Sequence, residues 1–252
     1  MEGRVTTSIE NKIGTISFFH PKSNSLPGAI LTELAETIIK VGKDENAKVI
    51  VLKSEREKAF CAGASFDELV AINDFETGKN FFMGFAKVIN AMRKCPKFII
   101  SRVHGKVVGG GVGVVAASDY SFAVEGASLK LSELALGIGP FVVGPAVERK
   151  VGQSAFGEMS IDYDWRDAKW AEAKGLYNKV FSTVEQMDEA VNKLADNMAR
   201  GSNAAMTELK NVLWQGTENW DNLLEERAEI SGRLVLSDFT KKYIQSFKDG
   251  KR

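Results

Sequence analysis

The chain has 252 residues, 44% of them hydrophobic and 26% charged, the composition of an ordinary folded protein. At that length folding buries roughly 70–75% of the surface that the unfolded chain exposes, so a core needs no disulfide or metal staple. The 33 basic and 33 acidic side chains cancel, which gives no footing for nucleic acid or an anionic membrane as a partner.

Residues 5–9 and 13–19 alternate in polarity around Glu10, Asn11 and Lys12, which predicts a hairpin. Leu31, Leu34, Ala35 and Ile38 then fall at helical spacing, so a helix with one buried stripe is expected over 28–41. Val49, Ile50, Val51 and Leu52 form an unbroken apolar run, as a strand covered on both faces requires. Phe85, Val88, Ile89 and Met92 repeat the helical spacing, and Phe98, Ile99 and Ile100 repeat the buried-strand run. This alternation predicts an α/β fold with a parallel sheet over residues 1–182. From Thr183 the pattern is helical. Met187, Val191, Leu194, Ala195 and Met198 share one stripe, and 209–214 and 223–236 continue it. Residues 183–252 are therefore read as a helical C-terminal region of the same domain.

The longest nearly continuous apolar and glycine run, 107–117, falls well short of the ~20 residues that span a bilayer. The opening Met1-Glu2-Gly3-Arg4-Val5 lacks the apolar core of a signal peptide, so the cytoplasm is the expected compartment. Cys61 and Cys95 make neither a disulfide framework nor a metal motif. His20 and His104 are the only histidines, so no nucleophilic triad and no metal site is supported.

The segment richest in information is 104–117, with Gly109-Gly110-Gly111-Val112-Gly113 at its centre. It follows a strand and runs into small apolar residues that can pack as a helix. Consecutive glycines there leave bare backbone N–H groups open to close approach, and a helix start adds its positive dipole end. Three readings are open from the cluster alone: a glycine-rich helix packed on a sheet, an oxyanion site, and a dinucleotide loop. The last rests on Gly111 to Ala116 fitting G-x-G-x-x-A, with Glu133 as the distal acid. A second small-residue loop, Cys61-Ala62-Gly63-Ala64-Ser65, also follows a buried strand and opens a helix. Two such loops can bring two main-chain donors to one oxygen.

With these segments the chain resembles the crotonase family, the enoyl-CoA hydratases and isomerases. The resemblance takes in the His20-Pro21-Lys22-Ser23-Asn24 turn, the 58–69 loop and the glycine cluster ending in Ala117-Ser118-Asp119. It extends to the Ala168…Ala173-Lys174-Gly175-Leu176 helix end and the basic close of the chain. It implies a spiral of ββα units with a helical trimerisation region, assembled as trimers or dimers of trimers. It implies an acyl-CoA thioester as substrate, with no redox or metal cofactor. By motif position the N–H groups of Ala64 and Gly110 form the oxyanion hole. Lys22, Ala62, Gly63, Gly109 and Lys248 are substrate or CoA contacts. Asp67 stands where the family often has a lysine for the CoA phosphates.

Family hydratases carry two glutamates, and the first of those positions is Gly113 here. The second is Glu133, between Leu131, Leu134 and Leu136 and ahead of Phe141 and Val142. Apolar neighbours should raise its pKa toward that of a working general base. A single carboxylate suits proton transfer from C2 to C4, so the resemblance implies a 3-enoyl to 2-enoyl isomerase. Hydration of a 2-enoyl-CoA and non-catalytic acyl-CoA binding are the alternatives. Glu148, among charged neighbours, reads as a solvated helix residue, and Cys61 as a small buried thiol.

Overall fold

The structure is a computed structural model describing residues 2–55 and 58–248, apart from the side chains of Phe247 and Lys248. It opens on the expected hairpin, β1 (Arg4–Glu10) and β2 (Ile13–Phe19). Asn11 and Lys12 both have positive φ, 51° and 66°, the two-residue turn whose twist matches that of paired strands. Helix α1 (Gly28–Lys43) follows, burying Leu31, Leu34, Ala35 and Ile38 as their spacing requires.

A spiral begins at this point. Each turn lays one strand in a large sheet and a short strand in a small sheet, then leaves through a helix. The first turn is β3 (Val49–Ser54), β4 (Ala59–Cys61), α2 (Phe66–Ala71) and α3 (Phe75–Lys94). The second is β5 (Phe98–Val103), β6 (Lys106–Val108) and α4 (Gly110–Ala116). The third is β7 (Tyr120–Val124), β8 (Leu129–Lys130), a single 3₁₀ turn at Leu134–Leu136, and α5 (Gly144–Ile161). Then α6 (Ala168–Ala173) leads to β9 (Lys179–Phe181), and α7 (Val184–Ala199), α8 (Asn203–Leu213), α9 (Trp220–Leu234) and α10 (Asp238–Lys248) complete the chain.

The large sheet has the order β1-β2-β3-β5-β7-β9 and is parallel except for the hairpin; the small sheet, β4-β6-β8, is wholly parallel. The main core gathers Ile16, Ile50, Leu52, Ile99 and Ile100 from the large sheet with Leu34, Ile38, Val88 and Met92 from α1 and α3. Helix α7 lies across the sheet and contributes Met187, Val191 and Ala195, while α9 packs along α3. The C-terminal helices thus share the core of the spiral.

Asp119, from the Ala117-Ser118-Asp119 motif, ties α8 to this core. Its Oδ2 accepts from Ile99 N at 2.7 Å and from Lys210 Nζ at 2.8 Å, and its Oδ1 accepts from Trp214 Nε1 at 2.9 Å. The Lys210 side chain is 1% exposed. A buried pair so fully hydrogen-bonded fixes geometry more than it adds stability.

Candidate active site

The three strands of the small sheet run the same way, so the loops that leave them meet at one end. Ala59 pairs with Lys106, Cys61 with Val107, and Val108 with Lys130. After β4 the chain passes through Ala62, Gly63 and Ala64 into α2; after β6 it passes through Gly109 into α4; after β8 it reaches Ser132 and Glu133. Ligand sites form outside the carboxyl ends of parallel strands for this reason.

Each loop is fixed by its own backbone. Leu26 N donates to Gly63 O at 2.8 Å and Ser65 N donates to Leu26 O at 2.9 Å, while Ala64 O accepts from Ser25 Oγ at 2.8 Å. The Ala64 N–H, on the other side of this bridge, donates to no described acceptor, and neither does the Gly110 N–H at the first turn of α4. Gly63 has φ +88°, and a β-carbon on it would lie 3.3 Å from Val108 O and 3.9 Å from Gly110 N. The two loops are therefore in contact.

Gly109 N donates to Lys130 O at 3.0 Å, which joins the second loop to the third. Gly109 has φ +53°, and a β-carbon there would stand 3.1 Å from Glu133 Oε1. Any side chain at 109 would be strained and would crowd the carboxylate. The Glu133 Oε2 is buried and accepts no hydrogen bond from the described residues. Burial raises the Glu133 pKa to about 7, with partial relief from the backbone N–H groups of Glu133 and Ser132. A carboxyl in that state can take and return a proton near neutral pH.

The loops open onto a cavity of about 370 Å³. Ala62, Gly63, Ala64, Gly109, Gly110 and Glu133 all line it, so six of the sequence-predicted site residues come together. Lys22 does not line it; its exposed ammonium pairs with Asp67. The side chain of Lys248 lies outside the described residues. The shielding of Glu133 differs from expectation. Leu134, on the 3₁₀ turn, is 44% exposed, and Leu131, just after β8, packs into the main core. Leu136, Phe141 and Val142 line the cavity as expected, and Ile138 completes the apolar wall.

Several lining residues carry no sequence signal of their own: Phe66, Phe81, Phe82, Lys130, Ser231 and Tyr243. Phe85 was legible only as part of a helical stripe. Its ring seals the back of Gly110, where a β-carbon would fall 2.2 Å from Phe85 Cε2.

Gly113 is also packed shut. A β-carbon there would lie 2.6 Å from Val143 Cγ1 and 3.2 Å from Ile89 Cδ1, so the position holds no carboxylate and has no room for one. Gly111 meets Cys61 Cβ at 2.7 Å by the same measure. The glycines of the G-x-G-x-x-A match therefore face protein, which removes the dinucleotide reading. Glu148 is exposed on α5. Burial pushes the Cys61 thiol up to about 12. Among the described residues no cluster of His, Cys, Asp or Glu could hold a metal, and no helix is long and apolar enough to cross a membrane.

Comparison with known proteins places this geometry in a family. The family model for enoyl-CoA hydratase/isomerase matches residues 8–250. A probable enoyl-CoA hydratase of Bacillus subtilis is 25% identical over 245 residues, 96% of this chain and 95% of its own. A peroxisomal Delta(3,5)-Delta(2,4)-dienoyl-CoA isomerase of Arabidopsis thaliana is 26% identical over 260 residues, 94% of this chain and 92% of its own. The crystal structure of an enoyl-CoA hydratase from Bacillus halodurans superposes with a TM-score of 0.89 at 20% identity, covering 96% of this chain and 99% of that one. With its spiral of paired strands and its two glycine-bearing loops, the chain belongs to the enoyl-CoA hydratase/isomerase family, the crotonase fold.

Proposed function

We propose that the protein moves the double bond of a 3-enoyl-CoA into conjugation with the thioester, giving the 2-enoyl-CoA. The observation that carries this reading is a cavity holding one buried carboxylate, Glu133, with the position of a second sealed at Gly113 by Val143 and Ile89. The thioester oxygen sits between the N–H groups of Ala64 and Gly110, where developing negative charge is stabilised; one such donor is worth about 10²–10³ in rate. Glu133 takes the proton from C2, and the C–H electron pair passes into the carbonyl to form a dienolate. The same carboxyl then returns a proton to C4 as the C2–C3 double bond forms. Protons and electrons balance within the substrate, so the step needs no redox or metal cofactor.

Water addition is the second reading, favoured by full-length relatives that are named hydratases. Here Glu133 would have to activate the water and also serve C2, which slows hydration. We also read the protein as a trimer or a dimer of trimers, in which the apolar side chains that α8 presents, Leu209, Val212 and Leu213, each more than half exposed here, are covered.

The test offers a 3-enoyl-CoA and, separately, a 2-enoyl-CoA to the protein in D₂O under NMR. Conversion of the first to the conjugated ester, with little 3-hydroxyacyl product from either, is the expected result. Rapid hydration of the 2-enoyl ester would overturn it.

A further inference from the structure

Lys130 and Glu133 are the charged residues among those lining the cavity, and they form no ion pair with each other. Lys130 faces Val108 across the small sheet, and Lys106, two residues before Val108, shares that face, while Val107 and Leu129 turn into the main core. Both ammonium groups lie over one ring. Lys106 Nζ is 5.0 Å and Lys130 Nζ 5.3 Å from the centroid of Trp165. Reciprocal bonds of 2.9 Å between Leu129 and Arg166 hold that ring at the edge of β8.

The acids near Trp165 are already engaged. Glu158 and Asp162 pair with Arg166, and Asp164 accepts from Trp165 N at 2.8 Å. Neither lysine has a carboxylate partner among the described residues. Lys130, which lines the cavity, thus shares one aromatic ring with a second cation, Lys106, an arrangement that a bound anion would complete.

Glu133 is three positions after Lys130, so their Cα atoms are at most about 11 Å apart. An anion held by Lys130 therefore lies within acyl-chain reach of the base, whereas the phosphates of CoA sit a whole pantetheine arm from the thioester. We propose that Lys130, with Lys106 over Trp165, selects acyl-CoA thioesters whose acyl chain ends in a carboxylate. This rests on the acyl-CoA reading of the cavity and names its substrate class.

The experiment measures binding of two saturated esters by calorimetry, glutaryl-CoA and pentanoyl-CoA, which share a chain length and undergo no double-bond shift. The native protein is expected to bind glutaryl-CoA at least about tenfold more tightly. Lys130→Met should bring the two affinities together, and Lys130→Arg should keep the preference. Lys106→Met, at an exposed strand end, should weaken the preference and serves as a second variant should Lys130→Met not fold. No preference in the native protein, or a preference that survives Lys130→Met, overturns the proposal. Equal weakening of both esters by Lys130→Met would overturn it by assigning the cation to the CoA phosphates. If the two esters bind equally well, the acyl-CoA reading still stands; if neither binds, both readings fall.

Discussion

The two sheets of this molecule do different work. In the large sheet, β3 and β5 are six residues each, four of them apolar and five buried in each strand, and they hold the helices together. In the small sheet, strands of two or three residues lead into loops that carry Gly63, Gly109 and Glu133, and those loops form the cavity. Separating the sheets lets one be packed for stability while the other keeps unpaired N–H groups and a poorly solvated carboxylate, which a core would not tolerate. Substitutions in one sheet should therefore be felt in folding and those at the ends of the other in rate.

The largest expected effect is on rate. Glu133→Gln should lower kcat/KM for double-bond migration by about 10²–10⁴ while leaving the fold intact, as steady-state kinetics with circular dichroism will show. A residual rate near that of the native protein would break the division between the sheets at its functional end.

Ile50→Ala is the matching change in the large sheet, where Ile50 is completely buried. It should cost about 2–5 kcal/mol in denaturant unfolding and leave kcat per folded molecule essentially unchanged. Loss of activity without loss of stability would contradict the comparison.

A smaller effect sharpens it. The fold raises the Glu133 pKa from 4.5 to about 7, so the native state holds the proton more tightly than the unfolded chain does. Its contribution is present below pH 4.5 and is lost as pH rises through about 7, a change of up to about 3 kcal/mol. Glu133→Gln lacks this loss. Its melting temperature relative to the native protein should rise between roughly pH 5 and pH 8, and an advantage that does not grow with pH would show that the carboxylate is well solvated.

The large sheet was legible in the sequence because its strands are long enough to show a pattern. Val49 to Leu52 and Phe98 to Ile100 are apolar runs that only a two-sided strand explains. The small sheet was not, since Ala59–Cys61, Lys106–Val108 and Leu129–Lys130 are too short to establish a period. The site was nonetheless half visible, because Gly63, Ala64, Gly109, Gly110 and Glu133 carry local chemistry that a resemblance can align. Its walls were not visible. Phe81, Phe82, Ser231 and Tyr243 reach the cavity from α3, α9 and α10, and only tertiary packing brings them there. Leu134 shows the converse failure, a neighbour in sequence that the 3₁₀ turn carries into solvent.

The most direct test is the pH dependence of kcat/KM for conversion of a 3-enoyl-CoA, from roughly pH 5 to pH 9 in the native protein and in Glu133→Gln. A single buried base predicts a rate that falls about tenfold per pH unit below about 7 and is level above it, with that inflection absent from the variant. An inflection near 4.5, or one that persists in Glu133→Gln, would contradict the account.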